Sequence, residues 1–307
     1  MKVTGSLTTL ATKALAESMD LNTMVAIVRN LIQNYDIHVQ TGISDSLPIQ
    51  RQIAAQQIIK DVKAKNLFLP IIEQLVIIHS KGYMGKKFPV KNLRQIIMQL
   101  REQGIIYDRE NELFVEDPTV RRTRNWGALL EGREYLFSFL RLDIVGNSKL
   151  VREYSEEDIQ DTYEDLRLMV SDAIDRRNGR IWSWEGDGGL IAFFFSNKHL
   201  YSTLSAMDIV HRLFLYNQLD CRLKSPLGVR LAVHSGIMEY TDNEEELKRT
   251  DIIKKIVDIE AKFTNPNSVT ISDTVEPMLD KVLIDQFRPV DSGKHSKYYN
   301  YSLRWEQ

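Results

Sequence analysis

Two aspartates stand where acidic side chains can do metal chemistry. Asp143 closes an apolar run, YLFSFLRLDIV, directly ahead of Ile144, Val145 and Gly146. Asp187 sits in EGDGG, a glycine-rich turn between two short apolar segments. A strand end and the turn of a neighbouring hairpin can bring two such positions side by side. Two converging carboxylates repel unless a cation lies between them, and hard divalent cations shared with phosphate oxygens supply that neutralisation. Gly186, Gly188 and Gly189 let the backbone turn sharply and a substrate come close. The Gly146-Asn147-Ser148 turn offers main-chain N–H groups to phosphate oxygens. An aspartate before a turn is also an ordinary turn-former. The pair gains weight because each follows buried-strand residues in one compact stretch.

The elements that must position these residues can be read from the hydropathy pattern. From Tyr135 the chain alternates between strand and helix: YLFSFLRLDIV is a strand. SEEDIQDTYEDLRLMVSDAIDRRNG is a helix capped by Ser155 with Asp158 three residues on, its buried side running through Ile159, Tyr163, Leu166, Val170 and Ile174. RIWSWEGDGGLIAFFF reads as two strands across a tight turn, Leu200 to Leu213 as a helix, GVRLAVHSG as a strand, RTDIIKKIVDIEAKF as a helix, and SVTIS and KYYNYSLRW as closing strands. This order implies an α+β sandwich of split βαβ, ferredoxin-like (βαββαβ) type, with its helices on one side of an antiparallel sheet.

The first part of the chain is mainly helical. Met24, Ile27, Val28, Leu31 and Ile32 form a helical stripe, IQRQIAAQQIIKDV and LFLPIIEQLVIIHS repeat the signal, and VKNLRQIIMQLREQG ends at Gly104. IIYDRENELFVED then reads as a hairpin with Glu110 and Asn111 at the turn. Helix, glycine and hairpin outline a winged-helix-like domain. Arg94, Arg101 and KGYMGKK could support nucleic-acid contact, but acids interrupt the basic residues and no extended basic stripe forms, which favours a regulatory or interaction module for a protein partner or ligand over DNA. The expected domains are 1–118 (helical), 119–134 (linker, with a tryptophan and two leucines that should pack) and 135–307.

The 307 residues are 43% hydrophobic and 27% charged, with a formal net charge of -2. That balance argues against a dominant polyanion-binding surface. No run of 18 or more apolar residues predicts a membrane span. The N-terminus does not read as a signal peptide, and the single cysteine, Cys221, excludes an internal disulfide, so the expected location is the cytoplasm.

Several of these segments carry a resemblance. LRLDIVGNSKL resembles the first metal-binding segment of class III adenylate and guanylate cyclases, GRIWSWEGDGGLIAFF their glycine-flanked hairpin, LGVRLAVHSG their Arg/Gly-Ile-His strand, and NPNSVTIS the stretch after their late helix. The resemblance covers about residues 135–305. It implies a phosphorus-oxygen lyase that converts a nucleoside triphosphate to a 3',5'-cyclic nucleotide and pyrophosphate. It further implies two Mg2+ or Mn2+ ions per site held by Asp143, Asp187 and the Ile144 carbonyl, a phosphate site shaped by Gly146 and Gly186, and a homodimer through the cyclase domain.

Departures from the family pattern are specific. The late helix of the family carries Asn and, four residues later, Arg, reaching across the dimer; here Lys255 and Ile259 fall at those places. Lys255 or Lys254 could replace the charge but not the planar fork of arginine. Ser183, beside Trp184, falls where adenylate cyclases carry a purine-selecting lysine, which leaves purine and pyrimidine bases both open. Similar loosening occurs in bacterial pyrimidine cyclases, which make cyclic CMP or cyclic UMP for anti-phage defence. DSGKHSKYY resembles the triphosphate-binding lysine loop, with Lys294 the candidate and Lys297 the rival. Arg230 alternates with apolar residues, so it points either to the site or into a buried pair, and His234 reads as a satisfied core or turn residue, with catalysis the less favoured alternative. Other readings of the same fold are an inactive cyclase-like regulator that binds a nucleotide or protein, and a nucleotide-sensing DNA-binding protein.

Overall fold

The computed structural model describes residues 2–85, 87–109, 111–120, 123–291, 293 and 297–303. The chain divides into two compact units, Met1–Ala128 and Leu129–Gln307. Among the described residues no helix is long and apolar enough to cross a membrane.

The first unit is built from α1 (Gly5–Ser18), α2 (Leu21–Arg29), α3 (Ile37–Thr41), α4 (Arg51–Ala64), α5 (Phe68–Lys81) and α6 (Leu93–Glu102). Thr4 and Asp20 cap α1 and α2 by accepting from the N–H groups of Leu7 and Thr23. The helix stops at Arg29, where the chain tightens and the Leu31 N–H donates to the Val28 carbonyl, three residues back, but Leu31 and Ile32 of the expected stripe still pack against the core. Pro70 falls in the first turn of α5, where it costs no helical hydrogen bond. Leu7, Leu15, Met24, Ile58, Ile59, Leu75 and Ile96 are among the fully buried side chains. Each contributes about 1.5–3 kcal/mol of burial. After α6, Gly104 turns at φ +79° into an antiparallel hairpin of β1 (Ile105–Asp108) and β2 (Leu113–Glu116), with Tyr107 opposite Phe114. Asn111 Nδ2 donates to Asp108 Oδ2 at 2.6 Å across the turn, while Glu110 lies outside the described residues. Within the stretch 119–134, Trp126 is fully buried and its carbonyl accepts from the Glu116 N–H at 2.6 Å, whereas the Gly132 N–H donates to the Tyr240 carbonyl.

The second unit is a mixed α+β domain with a multi-stranded sheet flanked by helices. Its elements are β3 (Glu134–Ile144), α7 (Asn147–Glu153), α8 (Glu156–Asp175), β4 (Arg180–Glu185), β5 (Gly188–Phe193), α9 (Lys198–Leu219), β6 (Val229–Glu239), α10 (Glu244–Arg249), α11 (Asp251–Phe263), β7 (Ser268–Ser272), α12 (Lys281–Ile284), β8 (Arg288–Val290) and β9 (Tyr298–Ser302). Among the described residues the strands form one sheet in the order β4-β5-β3-β6-β7-β9-β8. Ser155 caps α8, its Oγ accepting from the Asp158 N–H at 3.1 Å and donating to Asp158 Oδ2 at 2.6 Å.

Two sequence expectations need correction. The sheet is not wholly antiparallel, since β6 and β7 run parallel. A helical crossover, α11, joins them, as parallel neighbours require. Nor do the helices share one side. Ser138 of β3 bonds Ser202 of α9 and Ser235 of β6 bonds His199 of α9, so that face carries α9. The alternate residues of the same strands face α11: a Cβ added at Gly236 would stand 2.9 Å from Ile252, and Arg230 bonds Glu260. The alternation along β3 therefore puts Leu140, Leu142 and Ile144 in the core with Leu166 and Ile209, and sends Arg141 and Asp143 to the α11 side.

Candidate functional site: two aspartates at one end of paired strands

The backbone brings the two aspartates together. Asp143 pairs with Gly188 across β3 and β5, and the Ile144 N–H donates to the Asp187 carbonyl at 3.1 Å. Glu185 pairs with Gly188, so Gly186 and Asp187 form a two-residue turn between β4 and β5. Gly186 adopts φ +52° there, a conformation glycine takes without strain.

The side chains of the pair have different neighbours. Arg230 Nη2 donates to Asp143 Oδ2 at 2.7 Å, and Arg230 Nε donates to Glu260 Oε1. Arg230 thus makes an ion pair in which Asp143 is one partner. Glu260 is 3% exposed, and burial, then the charge of Asp143, raises its pKa against the pull of Arg230. Asp187 is half-buried and acts on Tyr163 of α8: burial, then the Asp187 charge, raises the Tyr163 phenol. The Tyr163 hydroxyl in turn donates to Asn147 Oδ1. Two small networks thus meet at the end of β3, one holding Asp143 from the α11 side and one linking Asp187 to α7 and α8.

The glycines around the pair are fitted. A Cβ at Gly188 would stand 2.9 Å from the Leu142 carbonyl and 3.3 Å from Asp143 Oδ1. At Gly189 it would overlap the Trp184 ring. Gly146 has φ +69° at the start of α7, with open space where a side chain would point.

Among the described residues no group of three or more His, Cys, Asp or Glu side chains could hold a metal ion. The donor set is instead two carboxylates, one of them with an oxygen already taken by Arg230. That set fits a magnesium-type ion carried on a substrate, which is bound by one or two carboxylates plus phosphate oxygens and not by an all-protein cage. Asp143 Oδ1 makes no hydrogen bond within the described residues and lies over the backbone at Gly188, where a side chain would fill the space.

The remaining expected residues are spread along the same edge or away from it. Asn147 is half-buried and Ser148 exposed at the start of α7. Ser183 and Trp184 are half-buried on β4, after a register shift between Ile181 and Ser183, and Arg167 lies 5.9 Å over the Trp184 ring. Lys255 is not gathered with the aspartates of its own chain. It acts on His234, whose pKa burial and then the Lys255 charge push down to about 4. His234 pairs with Phe139, four residues along β3 from Asp143, or about 13 Å. Ile259 is fully buried. Lys294 lies outside the described residues, and Lys297 is exposed.

No protein-family model matches this sequence, and no curated protein matches it. Solved structures of cyclase domains do match. The monomeric guanylyl cyclase domain of the RhoGC fusion protein from the aquatic fungus Blastocladiella emersonii is 15% identical, with 55% of this chain and 97% of that chain covered and a TM-score of 0.47. The guanylate cyclase domain of RhGC from Catenaria anguillulae, in complex with GTP, is 15% identical, with coverages of 56% and 100% and a TM-score of 0.45. The adenylyl cyclase CyaB from P. aeruginosa is 15% identical, with coverages of 58% and 100% and a TM-score of 0.47.

Glu260 and Arg141 escaped the sequence reading. Glu260 lies one turn after Ile256 on the buried stripe of α11, and an acid on such a stripe is the signal for a buried charge partner. Arg141 is two residues before Asp143 on the same strand face, and its Nε is buried without a hydrogen-bond partner. An arginine alternating with core residues is the corresponding signal.

Proposed function

We propose that the second unit is a metal-dependent nucleotidyl cyclase, built on a ferredoxin-like βαββαβ core, that converts a nucleoside triphosphate to its 3',5'-cyclic nucleotide and pyrophosphate. The reading rests on one observation: β3 and β5 pair so that Asp143 lies opposite Gly188, next to Asp187. Asp143 and Asp187, with the Ile144 carbonyl, would hold Mg2+ or Mn2+. When bound, such ions lower the pKa of the ribose 3'-hydroxyl and neutralise the triphosphate.

The chain's own residues have separable tasks in this scheme. Arg230 fixes the Asp143 carboxylate by taking Oδ2, which leaves Oδ1 for an ion. Gly146 opens the start of α7 to the phosphates. Ser183 and Trp184 stand beside the turn that carries Asp187 and would read the base. The ribose 3'-hydroxyl gives its proton to solvent as its oxygen attacks the α-phosphorus, the bond from the α-phosphorus to the oxygen bridging it to the β-phosphorus breaks, and pyrophosphate leaves with that bond's electron pair. Lys255, whose charge in its own chain falls on His234, would reach the leaving group only in a second copy, so the active form is a homodimer with its site shared across a two-fold axis.

Purified protein with Mn2+ and each of the four ribonucleoside triphosphates is expected to release pyrophosphate from at least one, and Asp143→Asn or Asp187→Asn to abolish the release. A second reading, an inactive cyclase-like regulator, is favoured by the burial of Ile259 where the family's arginine would stand. Saturable nucleotide binding without turnover of any of the four substrates would establish that reading instead.

A further inference from the structure

In the first unit a cavity of about 990 Å3 opens between the end of α5, the length of α6 and the β1–β2 hairpin. Val76, Ile97 and Met98 give it an apolar lining, and Met98 is 55% exposed, an adaptable side chain left uncovered. Arg94, Arg101 and Arg109 also line it. Among the described residues none of these arginines has a hydrogen-bonded or ion-paired partner; Asp117 feels the charge of Arg101 without forming an ion pair. The acid in the lining, Glu112, is taken by Lys81.

The spacing orders these groups. Arg94, Ile97, Met98 and Arg101 stand at i, i+3, i+4 and i+7, one stripe of α6 with a cation at each end and apolar residues between. The two arginine backbones are about 10 Å apart along the helix axis. Three unpaired guanidinium groups around one concavity repel each other and raise the local concentration of anions. A planar oxyanion would take two parallel hydrogen bonds from a guanidinium, while an apolar body would cover the methionine and the aliphatic lining. Duplex nucleic acid would use the charges but leave the apolar concavity unfilled.

We propose that this cavity binds an amphipathic organic anion, an aliphatic or aromatic body carrying a carboxylate, sulfonate or phosphate. The first unit is then a ligand-sensing module, whatever chemistry the second unit performs.

The test uses the full chain and 8-anilinonaphthalene-1-sulfonate as a fluorescent probe, displaced by decanoate or by 1-decanol. Saturable binding at one site per chain is expected, weakened about tenfold or more by Met98→Glu and by Arg94→Glu combined with Arg101→Glu. All three residues are exposed, so the thermal melt followed by circular dichroism should be unchanged. Decanoate should displace the probe at about a tenth of the 1-decanol concentration or less. Absence of saturable binding, equal affinity in the variants, or equal displacement by the alcohol would overturn the proposal. So would a short DNA duplex whose salt-dependent binding is lost in the arginine variant while the probe site is unchanged.

Discussion

Arg230 is the residue on which the α11 side of the site turns. It stands between Asp143 and Glu260, and without it two carboxylates, with side chains 19% and 5% exposed, would face each other between the sheet and α11. Removing one member of such a buried set leaves an uncompensated charge. Arg230→Met is therefore expected to lower stability by about 3 kcal/mol in chemical denaturation, and Arg230→Met with Glu260→Gln to recover part of the loss. A second residue-scale expectation concerns pH. Burial, followed by the charges of Lys255 and Lys198 respectively, holds His234 and His199 down to about 4 from an ordinary 6.5. A base whose folded pKa is depressed contributes stability that is present above the unfolded pKa and lost as pH falls toward the folded one. Each neutral histidine should thus cost about 2 kcal/mol of stability between about pH 7 and about pH 5. His234→Gln should shrink that drop by about half, as read from denaturation midpoints at the two pH values; an unchanged drop would contradict it. The two aspartates were legible because acids at strand ends beside glycines are conspicuous. Glu260 and Tyr163 were not, because their partners are remote in sequence: Glu260 bonds Arg230, 30 residues away, and Tyr163 bonds Asn147, 16 residues away.

At the scale of elements, the β4–β5 hairpin sets the distance between Asp187 and the strand that carries Asp143. Its register depends on Gly189 lying flat under Trp184. Gly189→Ala would force the indole aside, and overpacking of this kind typically costs about 1–3 kcal/mol. The expected result is a lower melting temperature together with a loss of whatever activity the hairpin supports, whereas an unchanged melt would show that Trp184 yields freely. The period-2 and period-3.6 patterns made β3, the hairpin, α8, α9 and α11 readable, because each buries one face or stripe. The side of the sheet on which α11 packs was not readable. Its apolar stripe fits either face, and the choice follows from the parallel crossover between β6 and β7, a long-range pairing no local pattern encodes. Short elements such as α7, α12 and β8 were missed for a related reason: with few residues they show no period.

At the scale of the molecule, each unit closes its own hydrophobic core, the first around residues such as Leu7, Ile58 and Ile72, the second around Leu142, Leu166 and Val233. Two cores of this kind are expected to give two calorimetric transitions, with His234→Gln shifting only the one that belongs to the second unit; a single transition displaced as a whole would contradict independent cores. The break between Ala128 and Leu129 falls inside the stretch whose periodicity is lost in the sequence. The whole account turns on the two aspartates sharing divalent cations, and manganese binding measured by electron paramagnetic resonance in the presence of each nucleoside triphosphate tests this most directly. With at least one of the nucleotides the chain should hold Mn2+ saturably, and Asp143→Asn and Asp187→Asn should each weaken that binding about tenfold or more, with circular dichroism showing both variants folded at the temperature of the measurement. Manganese affinity that is the same in both variants as in the parent chain would contradict the account.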